Sequence, residues 1–179
     1  MKKIIISGFG GQGVLSLGKF ISYSAIAQGL NTSWLPSYGP EMRGGTANCS
    51  VIYSEGEIAA PVIDYPDVLF AFNEPSLVKF GKKVAPGGII IVNSNIVKLN
   101  CERTDVRFFK VPVDEMAEKI NKRGGNIIML GLLLSILGDL KEESAIKAIK
   151  QVFENKPEVI EPNLVCLRAG IEYAKGMMA

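Results

Sequence analysis

Gly8-Phe9-Gly10-Gly11-Gln12-Gly13 is the first stretch of this sequence whose residue types and spacing could do chemistry. Glycines let a backbone approach an anion closely, and a helix opening behind them offers free N–H groups and a partial positive charge. Gly10, Gly11 and Gly13 are therefore candidate phosphate-contacting positions. Gln12, with an amide that both donates and accepts, is a candidate at the substrate end. The dinucleotide form of this motif also needs an acidic residue about 20 positions on, for the ribose hydroxyl. Asn31-Thr32-Ser33-Trp34-Leu35-Pro36 holds no acid, and no arginine for a 2′-phosphate, which argues against NAD and NADP. Gly13 to Phe20 imitates the G-x(4)-G-K-[ST] loop but puts Phe20 where a magnesium-binding hydroxyl belongs. Close helix–strand packing at a tight turn is the other reading of these glycines.

The second candidate segment is residues 36–48, PSYGPEMRGGTAN. It places Tyr38, Glu41 and Arg43 beside Gly44-Gly45, presenting charge next to a backbone that something can approach closely. The guanidinium fork of Arg43 matches phosphate oxygens, and Glu41 is placed to orient it. A rigid connection with a solvated Glu–Arg pair is the alternative. This loop follows the second predicted strand, and carboxyl ends of parallel strands are where α/β proteins hold ligands.

Counts remove other chemistries. The 179 residues contain no histidine and three scattered cysteines, Cys49, Cys101 and Cys166. No Cys-His zinc site, histidine triad or CxxC pair can form within the chain, and a cubane cluster needs about four thiolates. Cys49 and Cys166 lie in apolar runs and are expected in the core, whereas Cys101 lies in a polar stretch. A net charge of +2, with no long run of like charge, gives no case for nucleic acid. Lys79, Lys82 and Lys83 form a small basic patch that reads as a solvated face rather than a docking surface. The longest apolar run, Ile127 to Leu137, is far below the roughly twenty residues of a membrane span and reads as a buried helix. Unpaired cysteines and the lack of a secretory pattern point to a reducing cytoplasm.

The elements that must position these residues follow from periodicity. Strands are predicted over Lys3–Ser7, Thr32–Leu35, Thr46–Tyr53, Asp67–Phe72, Gly88–Asn93 and Val106–Val111, with Glu57–Ala60 as hairpin partner to Thr46–Tyr53. Helices are predicted over Val14–Gln28, Glu74–Phe80, a segment from Val113 to Ile120, Asn126 to Leu137 with Asn126 as cap, Glu142–Phe153 and Asn163–Lys175. Residues 36–45 read as loop because of their prolines and glycines. Strand–helix alternation with continuous apolar strands means a single-domain, three-layer, Rossmann-like α/β fold over residues 1–179, with a mostly parallel sheet and helices on both faces.

The combination of Gly8–Gly13, Ser37-Tyr38-Gly39-Pro40-Glu41-Met42-Arg43-Gly44-Gly45 and the following TANCSVIYS strand resembles the γ subunit of 2-oxoacid:ferredoxin oxidoreductases. The likeness is to the 2-oxoglutarate or branched-chain type, within the pyruvate/ketoisovalerate oxidoreductase family. Asp64-Tyr65-Pro66-Asp67, Asn73-Glu74-Pro75-Ser76 and Gly124-Gly125-Asn126 extend it over nearly the whole chain. The resemblance implies a complex that oxidatively decarboxylates a 2-oxoacid with coenzyme A to acyl-CoA, CO2 and reduced ferredoxin. It implies thiamine diphosphate with magnesium on α and β subunits and iron–sulfur clusters on β or δ. This chain would then bind no cofactor alone; it would help close the active site, with Tyr38 and Glu41 toward substrate or partner, and help dock CoA. A freestanding Rossmann-type nucleotide-binding enzyme and a small scaffold module are the competing readings.

Overall fold

The computed structural model describes residues 1–38 and 46–179. The first strand, β1 (Lys2–Phe9), carries Ile4, Ile5 and Ile6 in succession, and a strand apolar on both faces must be covered on both. Each of these side chains is at most 3% exposed and contributes about 2 kcal/mol by burial. The chain continues through α1 (Val14–Ala27), β2 (Asn31–Tyr38), β3 (Thr46–Ser54), β4 (Val68–Ala71) and α2 (Glu74–Phe80). It ends with β5 (Ile89–Asn93), β6 (Arg107–Val111), α3 (Val113–Glu118), α4 (Gly125–Leu137), α5 (Glu142–Val152) and α6 (Ile160–Met178).

The strands form one sheet in the order β2-β3-β1-β4-β5-β6. β1, β4, β5 and β6 are parallel neighbours. β3 runs against both β1 and β2. The expected mostly parallel sheet is therefore present, with one reversed strand inserted beside β1. On one face Ile4, Ile6, Phe70 and Ile91 pack under α1, α4, α5 and α6. On the other, Ile5, Leu69 and Ile90 pack under α2 and the coil residues Ile63, Val84 and Val97. The expected helices lie on both faces, five on one, where Val113 and Ala117 of α3 join the same cluster, and the short α2 on the other.

Three expectations are corrected. Glu57–Ala60 is not a strand: β3 already has β1 on one side and β2 on the other, so its hairpin partner is β2. β2 runs through Pro36 to Tyr38 where a loop was expected. It is the edge of the sheet, where a missing N–H can face outward at no cost to the ladder. Asn126 is not the cap of α4. Gly124 holds that position without a side-chain cap, and the helix starts at Gly125. Among the described residues no helix is long and apolar enough to cross a membrane.

Two close approaches set the helix positions. A Cβ at Gly18 on α1 would stand 2.6 Å from Cys49 Sγ and 2.7 Å from Trp34 Nε1, so glycine lets α1 lie directly on β2 and β3. At the crossing of α4 and α6, Gly131 and Gly170 face each other's helix backbone: a Cβ at either would overlap the carbonyl of Leu167 or Ile128.

Candidate functional site

After β1 the chain leaves along α1 on one face of the sheet, and after β4 it leaves along α2 on the other. The carboxyl ends of β1 and β4 therefore flank a switch point, where a crevice opens in doubly wound sheets. The glycine loop occupies its β1 side. Gly11 has φ +89° and Gly13 φ +76°, a conformation that only glycine adopts freely, while no non-glycine residue described has positive φ. The backbone sign thus alternates along Gly10, Gly11, Gln12 and Gly13. Alternation of this kind is the backbone pattern of anion-receiving concavities, with the Gln12 N–H itself taken up by the Phe9 carbonyl at 3.3 Å. Nothing stands within 4 Å of a Cβ built at Gly10 or Gly11, so this part of the loop faces open space.

Beside it lies a cleft of about 420 Å³. Gly11, Gln12 and Gly13 form one wall, Phe72 follows β4, Asn93 ends β5, Asp114 comes from the first turn of α3, and Lys122, Arg123 and Asn126 come from the entry to α4. Lys122 and Arg123 are exposed cations on the rim, close to the positive end of a 13-residue helix. Asn126 is packed against Gly13: a Cβ there would be 3.0 Å from Asn126 Nδ2. Across the loop, a second depression of about 310 Å³ is lined by Phe9, Gly10, Leu15 and Ala47. The loop therefore divides a polar, cationic cleft from a more apolar one.

Gln12 lies between them with its amide engaged at both ends. Its Oε1 accepts from the Phe9 N–H at 2.7 Å and its Nε2 donates to the Phe72 carbonyl at 3.3 Å. Behind the loop, the Phe72 N–H donates to the Ser7 carbonyl at 2.9 Å, and the Ser7 and Ser76 hydroxyls bond at 2.8 Å. Asn73 caps α2 by accepting from the Ser76 N–H at 2.9 Å. This joins β1, β4 and the start of α2 at the floor of the crevice.

The other sequence candidates divide into two groups. Glu41, Arg43, Gly44 and Gly45 lie outside the described residues, as does the side chain of Tyr38. The strands on either side of that segment can be placed: Tyr38 is opposite Ala47, and Thr46 is opposite Phe9, at the same edge as the glycine loop. The lysines Lys79, Lys82 and Lys83 do not line the cleft. Lys122 and Arg123 were not singled out from the sequence. Their one signal there is a basic pair directly before Gly124-Gly125 at a helix start.

Cysteine chemistry has no place at the crevice. Burial pushes the Cys49 thiol from its ordinary 9.0 up to about 12, partly offset by a hydrogen bond from Trp34. Burial likewise raises Cys166 to about 11. Both are core residues, as expected, and Cys101 is half-buried. Among the described residues no three His, Cys, Asp or Glu side chains converge where a metal could sit.

The sheet order also bears on nucleotide cofactors. In a dinucleotide site the second strand lies beside the first and its terminal acid reaches the ribose. Here β3 intervenes, so β2 ends two strand spacings away, roughly 10 Å. The fold and crevice define a Rossmann-like α/β domain in which a reversed strand displaces the usual ribose-binding position. The chain belongs to the pyruvate ferredoxin/flavodoxin oxidoreductase family, whose model matches residues 3–173.

It is 44% identical over 175 residues to the ketoisovalerate oxidoreductase subunit VorA of Methanothermobacter thermautotrophicus. That match covers 97% of this chain but 36% of the relative, so the chain spans about a third of that protein's length. It is 33% identical to the 2-oxoglutarate synthase subunit KorC of Methanothermobacter marburgensis, covering 96% of this chain and 95% of the relative. Among solved structures, the γ subunit of a keto/oxoacid ferredoxin oxidoreductase from Geobacter sulfurreducens superposes with TM-score 0.82 at 27% identity, over 98% of this chain and 99% of that one. A 2-oxoglutarate:ferredoxin oxidoreductase from Magnetococcus marinus, solved with 2-oxoglutarate, coenzyme A and succinyl-CoA bound, superposes with TM-score 0.87 at 25% identity. That likeness takes in 98% of this chain and 31% of that one.

Proposed function

We propose that this chain is the γ-type subunit of a cytoplasmic 2-oxoacid:ferredoxin oxidoreductase that converts a 2-oxoacid and CoA to acyl-CoA, CO2 and reduced ferredoxin. The carrying observation is the Gly10–Gly13 concavity at the sheet's switch point, beside a cleft rimmed by Lys122 and Arg123. It suits a polyanionic ligand; the described end of β2 carries no ribose acid, and among the described lining residues Asp114 is the one carboxylate, set against the two cations. The names of the relatives supply the reaction class; the geometry supports a docking and covering role within it.

In this reading the glycine loop and the 37–46 segment face the active site that the α and β subunits build. The loop's N–H groups and Arg43 hold CoA phosphates, Glu41 orients Arg43, and Tyr38 lies toward substrate or partner. Closing the site excludes water from the reacting intermediate. Thiamine diphosphate, magnesium and the clusters belong to α, β or δ subunits.

The test is reconstitution of the complex with and without this chain, and then with Arg43→Ala. The complete complex should turn over and the isolated chain should not. Arg43→Ala should raise the KM for CoA about tenfold while kcat holds, the pattern of lost ligand binding without lost transition-state chemistry. An unchanged KM and unchanged turnover would overturn the phosphate role.

A further inference from the structure

We propose that Gln12 is a positioning residue that straps the glycine loop to the end of β4 and so presets the donors that meet the ligand. The inference rests on the CoA-docking reading above and gives Gln12 a role distinct from substrate contact. Three observations lead to it. First, the Gln12 amide spans the switch point itself: it accepts from Phe9 on the β1 side and donates to the Phe72 carbonyl on the β4 side. Second, Gly8 is the residue that admits it. A Cβ at Gly8 would stand 2.6 Å from Gln12 Oε1 and 2.7 Å from Phe72 Cβ. Third, the Gln12 N–H turns back to the Phe9 carbonyl at 3.3 Å, so side chain and backbone of one residue both close the same turn.

The consequence is a division of donors. The Phe9 N–H is used by Gln12, and the positive-φ residues Gly11 and Gly13 are left to shape the concavity. A loop held this way meets an anion without reorganising, so less conformational freedom is lost on binding. Without the strap, Gly10 and Gly11, which touch nothing on their open side, have the freedom of ordinary glycine.

The experiment uses the assembled complex carrying Gln12→Leu, which removes both bonds, or Gln12→Glu, which keeps an acceptor for Phe9 and loses the donor to Phe72. Hydrogen exchange of the segment from Gly8 to Gly13 is measured together with CoA kinetics. Gln12→Leu should speed exchange at Phe9 and raise the KM for CoA about tenfold with kcat largely held, as expected for about two lost hydrogen bonds to a loop. Gln12→Glu should lie between it and the natural chain in exchange, while its KM for CoA rises at least as far as that of Gln12→Leu, because a carboxylate then stands beside the phosphates. Unchanged exchange in Gln12→Leu overturns the strap. Faster exchange with unchanged CoA kinetics overturns its positioning role. Arg43→Ala separates this from the parent reading. If that variant raises the KM and Gln12→Leu does not, only the strap's role fails. If neither does, the CoA reading fails, and the inference with it.

Discussion

Cys49, Cys166 and Tyr53 set the chain's response to alkali, one residue at a time. The Cys49 thiol lies under α1, donating to the Val14 carbonyl at 3.5 Å, and burial raises it from 9.0 to about 12. Cys166, on α6, rises to about 11. The Tyr53 hydroxyl is also held well above its ordinary value, first by burial and then by the Asp139 carboxylate it bonds at 2.9 Å. All three keep their protons in the folded chain at pH values where the unfolded chain releases them. The unfolded state then binds fewer protons, so stability is fully present below pH 9 and falls as pH rises toward 11 or 12. The urea midpoint should therefore be lower at pH 10.5 than at pH 8, with native-state alkylation at pH 8 confined to Cys101. Equal midpoints, or early labelling of Cys49, would contradict the burial of these groups.

At the scale of elements, the α4–α6 crossing is the most sequence-sensitive contact in the helical layer. Gly131 and Gly170 let the two backbones touch, and neither has a flexible side chain opposite it that could yield. Gly170→Ala should destabilise the chain by about 3 kcal/mol through overpacking, although alanine is the better helix former. Gly176→Ala, on the same helix with nothing within 4 Å, should stabilise it by about 0.5–1 kcal/mol. Opposite shifts in urea midpoint would confirm that contact, not propensity, decides at residue 170, and equal shifts would refute it. Elements of this kind were largely legible in the sequence. Glu74–Phe80 has the predicted bounds because Asn73 caps it and Pro75 sits in its first turn. The apolar runs of β1, β4 and β5 could only be buried strands. What periodicity could not show was pairing. Pro36 signals a loop unless its strand is known to be an edge, and Glu57–Ala60 looks like a hairpin partner until β1 is known to occupy that side of β3. The site was legible to the same degree. Gly10 to Gly13 announced themselves by spacing, but Lys122 and Arg123 join them from over a hundred positions away, only because β4, β5 and β6 bring α4 to the same edge.

At the scale of the whole molecule, the sheet separates the proposed ligand-facing end from an anchoring one. Its carboxyl edge carries the glycine loop and cationic cleft, and its opposite edge carries a polar network with a depression of about 560 Å³. There Tyr53 bonds Asp139, and the Gln28 side chain donates to the Asp139 carbonyl at 2.7 Å and accepts from the Lys141 N–H at 2.8 Å. This network fastens the end of α1, the end of β3 and the turn between α4 and α5. β1 spans eight residues from one edge to the other, so the two regions stand roughly 23 Å apart at about 3.3 Å per residue. Tyr53 pairs with Lys2 at the start of β1, whereas Thr46 pairs with Phe9 at the loop. Sites this far apart, with no shared partners, are expected to act additively. Tyr53→Phe removes one hydrogen bond and leaves Asp139 accessible to water, so it should cost about 1 kcal/mol of stability and leave the CoA KM and kcat of the assembled complex unchanged. Denaturant unfolding and steady-state kinetics on the same variant check both halves. A kinetic change without a stability change would mean that the depression at the far edge takes part in function, and that the crevice is not where this chain does its work alone.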